Sequence, residues 1–233
     1  MALLSASEWE ILVLSLKVSA VAIGASLPVA FAFAWVLARW RFPGKVLLDA
    51  LVHLPLVLPP VVTGWLLLLA FATDAPLGRF LNNTLGLTFL FRWTGAALAA
   101  AVMALPLMVR AMRLSIENVD PRLEQAARTL GAGRWRTFTA ITLPLCANGI
   151  FAALVLGFAR SIGEFGATIT FASNIPGETQ TLPLAIYSAL QVPGAEGQVT
   201  RLAVLSVLLS LGALVLSEWL VRRSGQDKGR HVV

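Results

Sequence analysis

Charge is what this chain has least of. Only 13% of its 233 residues are Asp, Glu, Lys or Arg, against about 25% in a soluble globular domain. Cysteine is nearly absent: Cys146 stands alone, which excludes an intrachain disulfide, and with only His53 and His231 beside it no metal-ligand cluster assembles. No G-x-x-x-x-G-K-[ST] phosphate loop occurs, and no Ser/His/Asp or paired-carboxylate constellation stands out. The opening "MALLSASEWE" has no Lys or Arg ahead of the first apolar run, and that run is far longer than a signal core, so no cleaved leader is expected. The chain therefore reads as no enzyme, with no cofactor of its own.

What is present is apolar length. Hydrophobic residues make up 58%, and mean hydropathy is +0.80. About 20 apolar residues cross a ~30 Å hydrocarbon core, and five stretches qualify: residues 11–38, 47–72, 94–114, 145–162 and 202–221. Residues 167–190, broken by Pro176 and Pro183, read as a short re-entrant helix or a sixth broken span. The expected fold is an all-α multi-pass membrane domain over residues 9–223 with a short tail at 224–233. Net charge is +6, but the basic residues gather between the spans. Topology, not nucleic acid, accounts for them. Arg39, Arg41 and Lys45 follow span one, six arginines lie between 110 and 136, and Arg222 and Arg223 close span five, whereas Glu8 and Glu10 precede span one. The positive-inside rule then puts the N-terminus outside and the C-terminus in the cytoplasm.

The central stretch "EQAARTLGAGRWRTFTAITLP" is too polar to insert. Asp120-Pro121 is a helix start, and Gly131 is placed to end that helix in a left-handed turn. Trp135, Phe138 and Thr142 share one face of a second helix. A solvated loop, an interfacial helix with its arginines on membrane lipid, and a docking element all suit such a segment. Its spacing resembles the signature of ABC-transporter permeases, E-A-A, three residues, G, nine residues, I-x-L-P. Ala126, Ala127, Gly131, Ile141, Leu143 and Pro144 match it; Gln125 stands at the glutamate position with Glu124 just before. The resemblance implies a cytoplasmic coupling helix at 120–144 within the type I importer fold.

"LPLVLPPVVTGWLLL" and "RSIGEFGATITFASNIPGETQTLPLAIY" resemble the molybdate-type permeases, the oxyanion branch of these importers, over roughly residues 9–221. Tungstate and sulfate permeases remain alternatives, and an ATP-independent channel or carrier is the reading from another class. The resemblance implies a homodimer in the bacterial inner membrane, two ATP-binding subunits holding ATP and magnesium, and an extracytoplasmic molybdate-binding protein. We expect the path to run along Pro55, Pro59, Pro60, Thr63 and Gly64 on one side and Arg160, Gly163, Glu164, Gly166, Thr168, Thr170, Ser173 and Asn174 on the other. Arg160 and Glu164, four apart, are placed to pair. Hydroxyls and backbone N–H groups would then meet an oxyanion that must also leave.

Overall fold

A computed structural model describes residues 5–86 and 88–226, and every regular element among them is helical. The first helix, α1 (Ala6–Arg39), is closed at its start by a capping box between Ser5 and Glu8. At about 1.5 Å per residue it is some 50 Å long, well beyond the hydrocarbon thickness. α5 (Trp93–Glu117) lies against it along a seam of fully buried alanines, Ala96, Ala100 and Ala104 among them. Without side-chain bulk the backbones approach closely, the packing that stabilises helices where lipid supplies no hydrophobic drive. The same device joins α5 to α8 (Leu143–Ile162). A Cβ on Gly157 would lie 2.8 Å from the Met108 sulfur and 2.9 Å from Ile23.

The second expected span, 47–72, is not one helix. Pro59 and Pro60 divide it into α2 (Lys45–Val57) and α3 (Pro60–Phe71), bent by 116°. Proline removes an N–H and clashes with the preceding turn, so two in succession end the helix. The pair nevertheless travels the length of α5. Asp49 on α2 ion-pairs with Arg113 near one end of α5, while Phe71 at the end of α3 packs by Ala99, Met103 and Phe171 towards the other. These contacts at both ends favour counting the bent pair as one broken span. With it the described residues hold five stretches long and apolar enough to cross a membrane.

Two boundaries differ from the sequence expectation. α4 (Pro76–Leu85), an amphipathic helix begun by its proline, occupies what reads as a plain connection. The fourth span starts earlier than 145. α7 (Arg134–Thr137), a π turn (Phe138–Thr142) and α8 run on as one helical length from Arg134 to Ile162, so Pro144 falls within it. After α8 come α9 (Gly166–Phe171) and α10 (Leu182–Leu190), too short to span at six and nine residues. A further full crossing at 167–190 is absent from the described residues. α11 (Glu196–Gln226) ends the described chain; of the expected tail, residues 227–233 lie outside it.

Candidate functional site

Between α5 and α7 lies α6 (Pro121–Thr129), the central segment. The Asp120 carboxylate accepts from the Arg122 N–H at 2.9 Å, and Pro121 fills the first turn. Gly131 takes φ +86°, the left-handed conformation that closes the helix while the Gly131 N–H donates to the Arg128 carbonyl. No heavy atom lies within 4 Å of where a Gly131 Cβ would sit, so backbone conformation rather than internal packing asks for glycine. Gln125, Ala126, Leu130 and Pro144 are exposed, while Ala127, Ile141 and Leu143 are half-buried. This is a helix mounted on the bundle with a bare outer face.

Glu124 is the exception on that helix, for it faces inward. Its Oε1 accepts from Arg39 Nη2 at 2.7 Å and from Thr142 Oγ1 at 2.7 Å. One carboxylate thus joins the end of α1, the central helix and the π turn. The π turn makes this possible. Thr137 and Thr142 are both buried five residues apart, a spacing that diverges on an α-helix and converges where one turn holds an extra residue. The sequence motif marks neither Arg39, which lies outside the central segment, nor Thr142, which fills its unspecified position between Ile141 and Leu143.

The two stretches expected to line a path do meet. A Cβ on Gly64 would lie 2.6 Å from the Ala167 carbonyl and 2.8 Å from the Thr170 Cβ, and one on Gly166 would lie 2.7 Å from the Pro60 ring. Glycine at both positions lets α3 and α9 touch along their backbones. Thr63 and Thr168 are buried between them, and Thr63 Oγ1 has no partner among the described residues. Thr170 donates to the Gly166 carbonyl. Arg160 and Glu164 pair at 2.6 Å, and the nearly inaccessible Glu164 also accepts from the Ala167 N–H, capping α9. Gly163 is exposed beside them.

Further along, Ser173 holds φ +66°, and Asn174 Nδ2 donates to Ser188 Oγ at 2.6 Å. Thr179, wholly buried, accepts from the Ile175 N–H and donates to the Ser173 carbonyl, fixing this loop. Thr179 escapes a sequence search because it works through backbone geometry. Pro59 and Pro60 lie at the bend between α2 and α3, and Pro60 begins the helix packed on α9, whereas Pro55 lies inside α2.

Residues 6–226 match the family model of the binding-protein-dependent transport system inner membrane component. The chain belongs to this permease family. It is 57% identical over 228 residues to the molybdenum transport system permease protein ModB of Escherichia coli (strain K12), covering 98% of this chain and 100% of that one. The ModB of Haemophilus influenzae is also 57% identical, over 93% of this chain and 95% of its own. The sulfate transport system permease protein CysT of Escherichia coli (strain K12) is 39% identical over 78% of this chain and 65% of its own. Among solved structures, a bacterial ABC transporter that imports the acidic polysaccharide alginate aligns with TM-score 0.68 at 17% identity, covering 99% of this chain and 82% of that chain. The MetNI methionine ABC transporter, inward facing, aligns with TM-score 0.67 at 16% identity, covering 94% of each. These likenesses show the ABC importer permease fold, and the helices of this permease follow it.

Proposed function

We propose that this permease carries molybdate through the bacterial cytoplasmic membrane as the membrane-spanning half of an ABC importer. The observation that carries the reading is 57% identity along almost the whole chain to a molybdenum transport permease, with no part of that relative left unmatched. Two copies would form the path, with an ATP-binding subunit under each central segment and an extracytoplasmic binding protein delivering the anion. ATP and magnesium would reside in the partner subunit. The N-terminus would lie outside and the C-terminus in the cytoplasm, as the basic connections require.

The geometry suits that task. A short helix whose exposed face includes Gln125, Ala126 and Leu130 offers a docking surface, and Glu124 links it to α1 and to the helix that continues into α8. Closure of the ATP-binding subunits would draw two such helices together and swing the attached spans, opening the path outward; hydrolysis would reverse it. In the path, Glu164 neutralises Arg160. An oxyanion would then meet hydroxyls and amide dipoles in place of a bare cation, and would be released readily.

Reconstitution with the ATP-binding subunit and the binding protein tests the reading. Uptake of molybdate driven by ATP is expected, with sulfate a poor substrate. Preferred sulfate or tungstate uptake would reassign the anion, and flux without ATP would replace the importer with a channel or carrier. A Gly131→Trp chain should lose stimulation of ATP hydrolysis by the loaded binding protein. Full stimulation would remove the docking role.

A further inference from the structure

Where α1 ends against the central segment, two hollows adjoin. One, of 550 Å³, is walled by Phe31, Ala32, Trp35, Val36, Trp135 and Phe138 and is almost wholly apolar. The other, of 330 Å³, opens between Trp40, Arg128, Arg134, Thr137 and Glu124. Trp35, Arg134 and Phe138 line both, so the apolar hollow continues into the polar one. Each falls within the range of small-ligand sites.

The charge around the polar hollow is one-sided. Glu124 is its only acid among the described residues, and that carboxylate is already engaged by Arg39 and Thr142. Among the described residues no ion pair engages Arg128 or Arg134. Arg39, outside the lining and paired with Glu124, lies over Trp35 at 5.6 Å from the ring centroid, and its buried Nε is without a partner among the described residues. A site with two free guanidiniums wants a ligand with anionic oxygens, which planar N–H pairs bind in bidentate fashion. The adjoining hollow wants hydrocarbon. Tryptophan at the join, with Trp135 76% exposed, is the residue that settles at the headgroup level of a bilayer.

From this we infer a binding site for an anionic phospholipid, its phosphate against Arg128 and Arg134 and an acyl chain along Phe31, Ala32 and Phe138. On the orientation proposed above the lipid belongs to the cytoplasmic leaflet, where basic pockets between spans and surface arginines take acidic headgroups. Occupancy would brace from outside the join between α1 and the central segment, which Glu124–Arg39 and the edge-on contacts of Phe31 and Trp35 with Phe138 already hold. A lipid there would act as a removable part of the linkage, since it touches Arg134, Phe138 and Trp35 together.

The test uses the whole transporter, with its ATP-binding subunits, reconstituted in equal parts phosphatidylcholine and phosphatidylglycerol. After gentle detergent release, native mass spectrometry counts retained lipid. Phosphatidylglycerol should stay bound and phosphatidylcholine should not. In an R128Q/R134Q chain the affinity should fall roughly twenty-five-fold, since each arginine near an acidic headgroup contributes a factor of about five. Ala32→Trp, which fills the apolar hollow and leaves every charge in place, should also expel the lipid, and soluble glycerol phosphate should not compete. Equal retention by both variants, or displacement by glycerol phosphate alone, would overturn the site. So would crosslinking of an Arg134→Cys chain to the ATP-binding subunit, which would show the hollow covered by protein. Anion uptake is measured on the same vesicles; its loss in the unaltered transporter would remove the transport reading and leave lipid retention standing or falling on its own.

Discussion

Glu124 and Gln125 divide between them what the signature concentrates in one glutamate. Gln125 is exposed and uncharged, whereas Glu124 is turned inward and held at 2.7 Å by two different elements. On the proposed docking role, charge would therefore serve to attach the central helix to the bundle and would not be needed on its outer face. Glu124→Ala should leave Arg39 half-buried without its carboxylate, at a cost of about 1–3 kcal/mol. The transporter should still assemble, but stimulation of ATP hydrolysis by the loaded binding protein should drop several-fold. Gln125→Glu, adding an exposed charge, should change little. If the two outcomes were exchanged in a stimulated-ATPase assay, the carboxylate would act on the partner after all. Glu164 calls for a different substitution, because it serves Arg160 and the Ala167 N–H at once. Glu164→Gln keeps a hydrogen-bond acceptor for the amide and frees the guanidinium. Uptake should then saturate at lower anion concentration and run at a lower maximal rate, since the anion is held where it has to leave. Half-saturation and maximal rate both unchanged would place Arg160 off the path.

Elements, rather than single residues, decide where the two segments proposed to line the path meet. α3 rests on α9 through Gly64, whose missing side chain lets the Ala167 carbonyl come within 2.6 Å of a Cβ position. Gly64→Val should force the two apart at a cost of about 1–3 kcal/mol, read as a lower melting temperature of the purified complex and loss of uptake. Gly24→Ala is the contrast, for nothing lies within 4 Å of its Cβ position; it should be neutral or slightly stabilising. Much at this scale was legible in advance. Apolar runs mark α1, α5, the length ending in α8, and α11, whereas residues 47–72 read as one apolar run, and the break that Pro59 and Pro60 make between α2 and α3 does not show in it. The motif spacing located the central helix and its Gly131 turn. Other features were not legible because they depend on chain separated by tens of residues or on one-residue changes of helical phase. The Glu124–Arg39 pair joins positions 85 apart. The π turn has no composition of its own, being set by what Thr142 reaches. α4 carries Arg79, Asn82 and Asn83 on a short amphipathic helix, a pattern easily taken for a loop between spans.

Across the whole molecule the question is whether the bent pair counts as a crossing, because the side of the central segment depends on it. A turn of 116° suits a re-entrant hairpin. Were it one, only α1 and α5 would cross between the N-terminus and α6, and Glu10 and Arg122 would share a side. The contacts argue otherwise, since Asp49 and Phe71 are anchored towards opposite ends of α5. Charge agrees with the contacts. Arg39 and Arg41 before the pair, and Arg122, Arg128 and Arg134 after α5, belong together only if the pair and α5 make one round trip. Cysteine labelling reads this directly, for Cys146 is 1% exposed and should contribute little background. In intact cells with a permeable outer envelope, a membrane-impermeant maleimide should modify a Glu10→Cys chain. An Arg122→Cys chain should react only after the inner membrane is opened. Labelling of both from outside would make the bent pair re-entrant. It would also place the central helix where no ATP-binding subunit could reach it, so the crossing count and the docking role stand on the same measurement.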